Sequence, residues 1–149
     1  MPALIPLRKP LLERLQRYVK VHTTSDAAST TVPTTPQQWD LLKLLRDEVT
    51  ALGMTEVSLD DKGYLFATLP ATTDKKVPVL GFMAHVDTAP GCSGENVKPQ
   101  VIENYSGGDI PLKGSGAVLS PKEFPALDSL HGPTLVTTDG TALLGADDK

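Results

Sequence analysis

The sequence predicts an α/β layered domain, and three observations carry that prediction. Two amphipathic helical patterns come first and strand-like patterns follow them. A later segment, Val77 to Ala84, is apolar at consecutive positions, as expected for a strand covered on both faces.

The elements follow in chain order. Pro10 suits the opening of a helix, and Leu11, Leu12, Leu15, Tyr18 and Val19 recur at helical spacing behind it. Thr23 to Thr34 is Ser, Thr, Ala and Pro with almost nothing to bury, so it reads as an exposed loop. Thr35-Pro36-Gln37-Gln38 then combines a Thr cap, a Pro at the first helical position and a Gln three residues after the cap. Leu41, Leu42, Leu45, Val49 and Leu52 give this second helix its apolar stripe, and Gly53 ends it. Val57 and Leu59 lead into the turn signal Asp60-Asp61-Lys62-Gly63, and Tyr64 to Leu69 alternates beyond it. Thr88 to Pro133 is rich in Gly and Pro, with a strand predicted at Val97–Glu103 and a short helix at Pro121–Leu130. Two strand-like pieces, Thr134–Thr138 and Thr141–Ala146, flank the turn at Asp139-Gly140.

Composition narrows the function classes. The chain has 149 residues, 14 basic against 18 acidic, for a formal net charge of −4. Its Lys and Arg are scattered rather than gathered on one face, which argues against nucleic acid as a partner. The longest nearly apolar run is the Val77–Ala84 segment, far short of the roughly 20 residues a spanning helix needs, so no membrane is implied. The single cysteine, Cys92, forbids an internal disulfide and fits a reducing compartment, and the cytoplasm is the expected location.

Chemistry concentrates at two places. The Val77–Ala84 segment runs into His85-Val86-Asp87, and residues i and i+2 of an extended segment face the same side. The imidazole and the carboxylate can therefore address one site, as a metal ligand with its supporting acceptor or as two members of an acid/base relay. The second place is Leu143-Leu144-Gly145-Ala146-Asp147-Asp148-Lys149, where apolar residues meet two adjacent carboxylates. Adjacent acids repel one another unless a cation or solvent compensates, and a bridging carboxylate is one way that two-metal hydrolases hold their ions.

Jointly, His85-x-Asp87, Thr137-Thr138-Asp139-Gly140 and Leu144-Gly145-Ala146-Asp147-Asp148-Lys149 resemble the di-zinc exopeptidases. So do Leu65-Phe66-Ala67-Thr68-Leu69-Pro70, Cys92-Ser93-Gly94, Gly107-Gly108-Asp109-Ile110 and Phe124-Pro125, and the resemblance covers about Leu11 to Lys149. It implies that residues 1–149 are the N-terminal portion of a mixed-sheet catalytic domain, with helices packed on the sheet and the lid or dimerisation domain absent. It further implies that His85 ligates one of two zinc ions, that Asp87 is the catalytic-support carboxylate orienting His85, and that Asp147 bridges the ions. The implied reaction is release of the N-terminal residue from a tripeptide by zinc-activated water. The family's general-base Glu and its remaining ligands lie downstream of the Asp-Asp-Lys, so this stretch by itself is expected to be inactive. An uncovered sheet is expected to make it self-associate.

Two rivals stand beside this reading. Val86-Asp87-Thr88-Ala89 and Leu143-Leu144-Gly145-Ala146 also resemble elements of retroviral-type aspartic proteases, in which paired Asp87 residues would share a proton. Alternatively, the chain is a non-catalytic α/β module in which His85 and Asp87 simply satisfy one another.

Overall fold

The computed structural model describes residues 7–145. Helix α1 spans Arg8–Tyr18 and α2 spans Gln38–Ala51; strands β1 to β6 are Thr55–Leu59, Leu65–Thr68, Gln100–Ile102, Ile110–Pro111, Val118–Leu119 and Leu135–Thr137. A short 3₁₀ helix covers Pro125–Ser129. The mixed helix and strand content is that of an α/β chain, as the sequence predicts.

The start of α2 departs from the prediction. The helix begins at Gln38 rather than after a Thr35 cap, and no side chain caps its first turn. The Gln38 side-chain amide instead donates to the Thr35 hydroxyl at 2.8 Å and the Thr34 hydroxyl at 3.0 Å. At the other end Gly53 has φ +82°, its N–H donates to the Thr50 carbonyl, and the Met54 N–H donates to that of Val49. This is the Schellman arrangement, and the left-handed conformation explains the glycine. Leu41 and Leu42 are buried on α2, which lies against β1 and β2.

In α1, Leu11 stays 58% exposed. The covered end of its stripe is Leu15 and the adjoining Val19, which pack with Val97, Ala142 and Leu144. Glu48 ties the two helices together. Its carboxylate accepts from the Arg14 and Arg17 guanidinium groups and, at 2.7 Å, from the Tyr18 hydroxyl. Burial pushes the Glu48 carboxyl up, but those three hydrogen bonds outweigh it and hold it below its ordinary value.

The strands form three separate two-stranded antiparallel sheets among the described residues: β1 with β2, β3 with β6, and β4 with β5. The β1–β2 turn is the predicted one. Asp60 Oδ1 accepts the N–H groups of Lys62 at 3.0 Å and Tyr64 at 2.8 Å. Gly63 there has φ +81°, and a Cβ on it would come within 2.8 Å of the Pro33 ring. The strand predicted at Val97–Glu103 is the shorter β3, paired with β6 through Val101 opposite Val136. The Gln100 side chain then joins two sheets: its oxygen accepts the Lys113 N–H, and its amide donates to the Pro111 carbonyl and the Thr137 hydroxyl.

Three expectations are corrected. Val77 to Ala84 is not a strand, and it is exposed throughout, with Val79 97%, Phe82 96% and Met83 99% exposed. A strand buried on both faces needs neighbours on both edges and a layer above and below. Among the described residues no strand pairs with this segment. Thr23 to Thr34 is not exposed at its start, because Thr23 is fully buried and Thr24 forms a parallel bridge with Thr88. Of the strand predicted at Thr141–Ala146, residues 141–142 bend and 143–145 form no strand, and Ala146 lies outside the described residues. After Gly140 (φ +89°) the Thr138 hydroxyl captures the Ala142 carbonyl, and a single backbone bond, Leu143 N–H to the Ser93 carbonyl, replaces a ladder.

Candidate functional site

The exposed apolar segment delivers His85 and Asp87 as a pair. His85 Nδ1 lies 3.1 Å from Asp87 Oδ1 and 3.0 Å from the Asp87 main-chain oxygen. Both neighbours are acceptors, so Nδ1 is the ring nitrogen that donates to them. The side chains are 59% and 40% exposed, so this contact is screened by solvent and adds little stability. Its physical effect is to fix the tautomer and direction of the ring, as a carboxylate behind a ligating histidine does. Asp87 engaged in this way also gives no support to the reading in which it shares a proton with a second Asp87.

Residues after Asp87 are pinned. The Thr88 N–H donates to the Thr23 carbonyl at 3.1 Å, and the Thr88 carbonyl accepts the Ser25 N–H at 2.9 Å and its hydroxyl at 3.0 Å. The Thr24 and Thr88 hydroxyls lie 3.3 Å apart. A Cβ on Gly94 would sit 2.9 Å from Thr88 Oγ1, and one on Gly145 would sit 2.5 Å from Thr88 Cγ2. Thr88 therefore collects the 23–25, 93–94 and 143–145 segments. Asp147, the third residue singled out in the sequence, lies outside the described residues, as do Asp148 and Lys149.

Just upstream, Asp139 braces the loop that leads to Gly145. Its Oδ1 accepts the Thr141 N–H at 3.0 Å and the Thr141 hydroxyl at 2.6 Å, while its main-chain oxygen accepts from Gly114 and Ser115. The Thr141 hydroxyl and N–H hold the Asp139 carboxyl below its usual value; burial opposes them, and Lys98, 3.9 Å away, adds to them. Asp139 carries no room for change around it either, since a Cβ on Gly114 would run into its carboxylate.

Imidazole nitrogen and carboxylate oxygen are donors that suit zinc. Among the described residues, however, no group of three or more His, Cys, Asp or Glu side chains could hold a metal ion. They bring together one imidazole and one carboxylate, which is only a partial donor set for a metal. Sequence reasoning found that pair and missed the Thr24–Thr88 bridge behind it. The local signal was two β-branched threonines, and nothing in their spacing of 64 residues announces a contact.

The fold and this pair define an α/β chain carrying an oriented, solvent-facing imidazole. A scan of known protein families gave no match to the chain. Its relatives are more informative. It is 57% identical over 144 residues to peptidase T of Geobacillus thermodenitrificans (strain NG80-2) and 56% identical over 144 residues to peptidase T of Geobacillus kaustophilus (strain HTA426). It is 54% identical over 143 residues to peptidase T of Lysinibacillus sphaericus (strain C3-41). The chain is thus homologous to peptidase T over 96% of its own length, and it spans about 35% of the length of these relatives. Among the described residues no helix is long and apolar enough to cross a membrane.

Proposed function

We propose that this chain carries part of the active site of a metal-dependent tripeptide aminopeptidase. The observation that carries the reading is the His85–Asp87 pair, held at 3.1 Å with Nδ1 facing the carboxylate, in a chain homologous to peptidase T. Zinc is the proposed metal, two ions in the complete site; when bound it supplies Lewis-acid polarisation of the scissile carbonyl and lowers the pKa of a bound water. His85 Nε2 is the ligating atom. Asp87 keeps the Nδ1 proton and so the ring's direction. Asp147 is the bridging carboxylate. The cytoplasm is the proposed location, in keeping with the exposed, unpaired Cys92.

The chain carries three of the residues this chemistry uses and spans about 35% of its relatives, so it is expected to show no tripeptide turnover by itself. The check is a tripeptide hydrolysis assay with added zinc on material of verified intact mass. Robust turnover by the chain alone would overturn that expectation. Failure of the chain to take up any zinc would remove the metal reading and favour the non-catalytic module.

Self-association is proposed as well. Val79, Leu80, Phe82 and Met83 form a run of exposed apolar side chains on a segment that pairs with no strand among the described residues, the kind of surface that recruits another chain. Sedimentation velocity is expected to show a weight-average mass that rises with concentration, and Val79→Lys with Phe82→Lys is expected to abolish the rise. A monomer at every concentration excludes the surface.

A further inference from the structure

Residues 70–84 carry no helix, strand or bridge, and every one of them is exposed. Among the described residues, none of them makes a backbone hydrogen bond to another part of the chain. The Lys75 N–H donates only locally, to the Thr73 hydroxyl at 3.3 Å. Both ends of this strap are fixed: Thr68 pairs with Thr55 in the β1–β2 hairpin, and Thr88 pairs with Thr23 and Ser25. Lys75 and Lys76 lie in its middle, and Pro78 disfavours helical backbone at the preceding Val77. An endoprotease needs such a stretch, exposed and with backbone groups free to pair with the enzyme. The other described basic residues are placed differently. Most lie in α1 or α2, and Lys20 and Lys98 adjoin the buried Val19 and Val97. The main chain at Lys62, Lys113 and Lys122 is held by the side chains of Asp60, Gln100 and Ser120.

We propose that the Lys75–Lys76 pair is a processing site for a lysine-specific endoprotease, and that the cut chain stays assembled. Water adds across the amide after Lys75 or Lys76, leaving a lysine carboxylate on one piece and a new α-amine on the other. The pieces are held by contacts that the cut does not touch. Leu15 and Val19 of the first pack with Val97, Ala142 and Leu144 of the second, and Thr24 bridges to Thr88. A hydrogen bond from the Arg8 guanidinium to the Thr134 hydroxyl adds a third tie. His85 and Asp87 go with the second piece, next to the pinned Thr88, so the cut frees one end of the apolar arm and leaves their pairing untouched. Neither the metal reading nor self-association enters this argument.

The test is limited digestion of the folded 149-residue chain with a lysine-specific endoprotease, read by intact mass. Digestion is run at the lowest concentration used for sedimentation, so that self-association does not shield the strap. The first cut is expected after Lys75 or Lys76, about tenfold or more faster than at any other lysine. Lys75→Gln with Lys76→Gln changes two exposed side chains and is expected to remove that cut. Size exclusion in buffer is expected to return both pieces in one peak, and the same column in urea to separate them. A first cut at another lysine, or an equally fast cut elsewhere in the double variant, overturns the site. Pieces that part in buffer overturn the assembly.

Discussion

Asp87→Asn is expected to weaken zinc uptake by roughly 10–100-fold, and His85→Ala to abolish it. The reasoning starts from the two acceptors around Nδ1, at 3.0 and 3.1 Å. Asparagine can present its amide oxygen to the ring, but it removes the negative charge that makes the imidazole a stronger base and a better ligand. Alanine at 85 removes the ligating nitrogen itself. Because the pair is solvent-exposed, neither change should alter the unfolding free energy by more than a few tenths of a kcal/mol. Calorimetric zinc titration beside urea unfolding separates the two effects. Equal zinc affinity in wild type and Asp87→Asn would show that the carboxylate does not support a ligand.

Leu41→Ala is expected to cost about 2–5 kcal/mol of stability, the range for truncating a fully buried leucine. Leu41 is 1% exposed on α2, the helix that lies against β1 and β2. Few large apolar side chains are buried among the described residues, with Val19, Leu42, Val97, Ile110 and Leu112 the main others. Whole-domain stabilities run only about 5–15 kcal/mol, so one such loss removes a large share. Leu11→Ala, on the exposed side of α1, is the matched control and should stay within about 0.5 kcal/mol of wild type. Circular dichroism during urea unfolding reads both. A Leu41→Ala cost no larger than the control would mean that α2 is not seated on the hairpin.

Legibility in the sequence followed the range of the interaction. Gly53 ends α2 through contacts within a few residues, and Asp60 and Gly63 close their turn the same way, whereas the predicted Thr35 cap gave way to a helix that begins at Gln38. The His85–Asp87 pairing is an i, i+2 matter and was equally readable. Val77–Ala84 was misread because a run of apolar residues reports only that burial would be favourable. Whether burial happens depends on neighbours that the run does not specify. β4 and β5, two residues each, carry too short a pattern to detect.

By its own local chemistry, the sequence determined the C-terminal end of α2, the Asp60–Gly63 turn and an imidazole aimed by a carboxylate two residues on. Only the tertiary structure decided that Thr24 would bridge to Thr88, that Gly145 would seat on the Thr88 methyl, and that Val79, Phe82 and Met83 would face solvent. The physical reason is separation along the chain. Caps and turns are closed by groups a few bonds away, whereas a contact across about 60 residues depends on how every element between them packs.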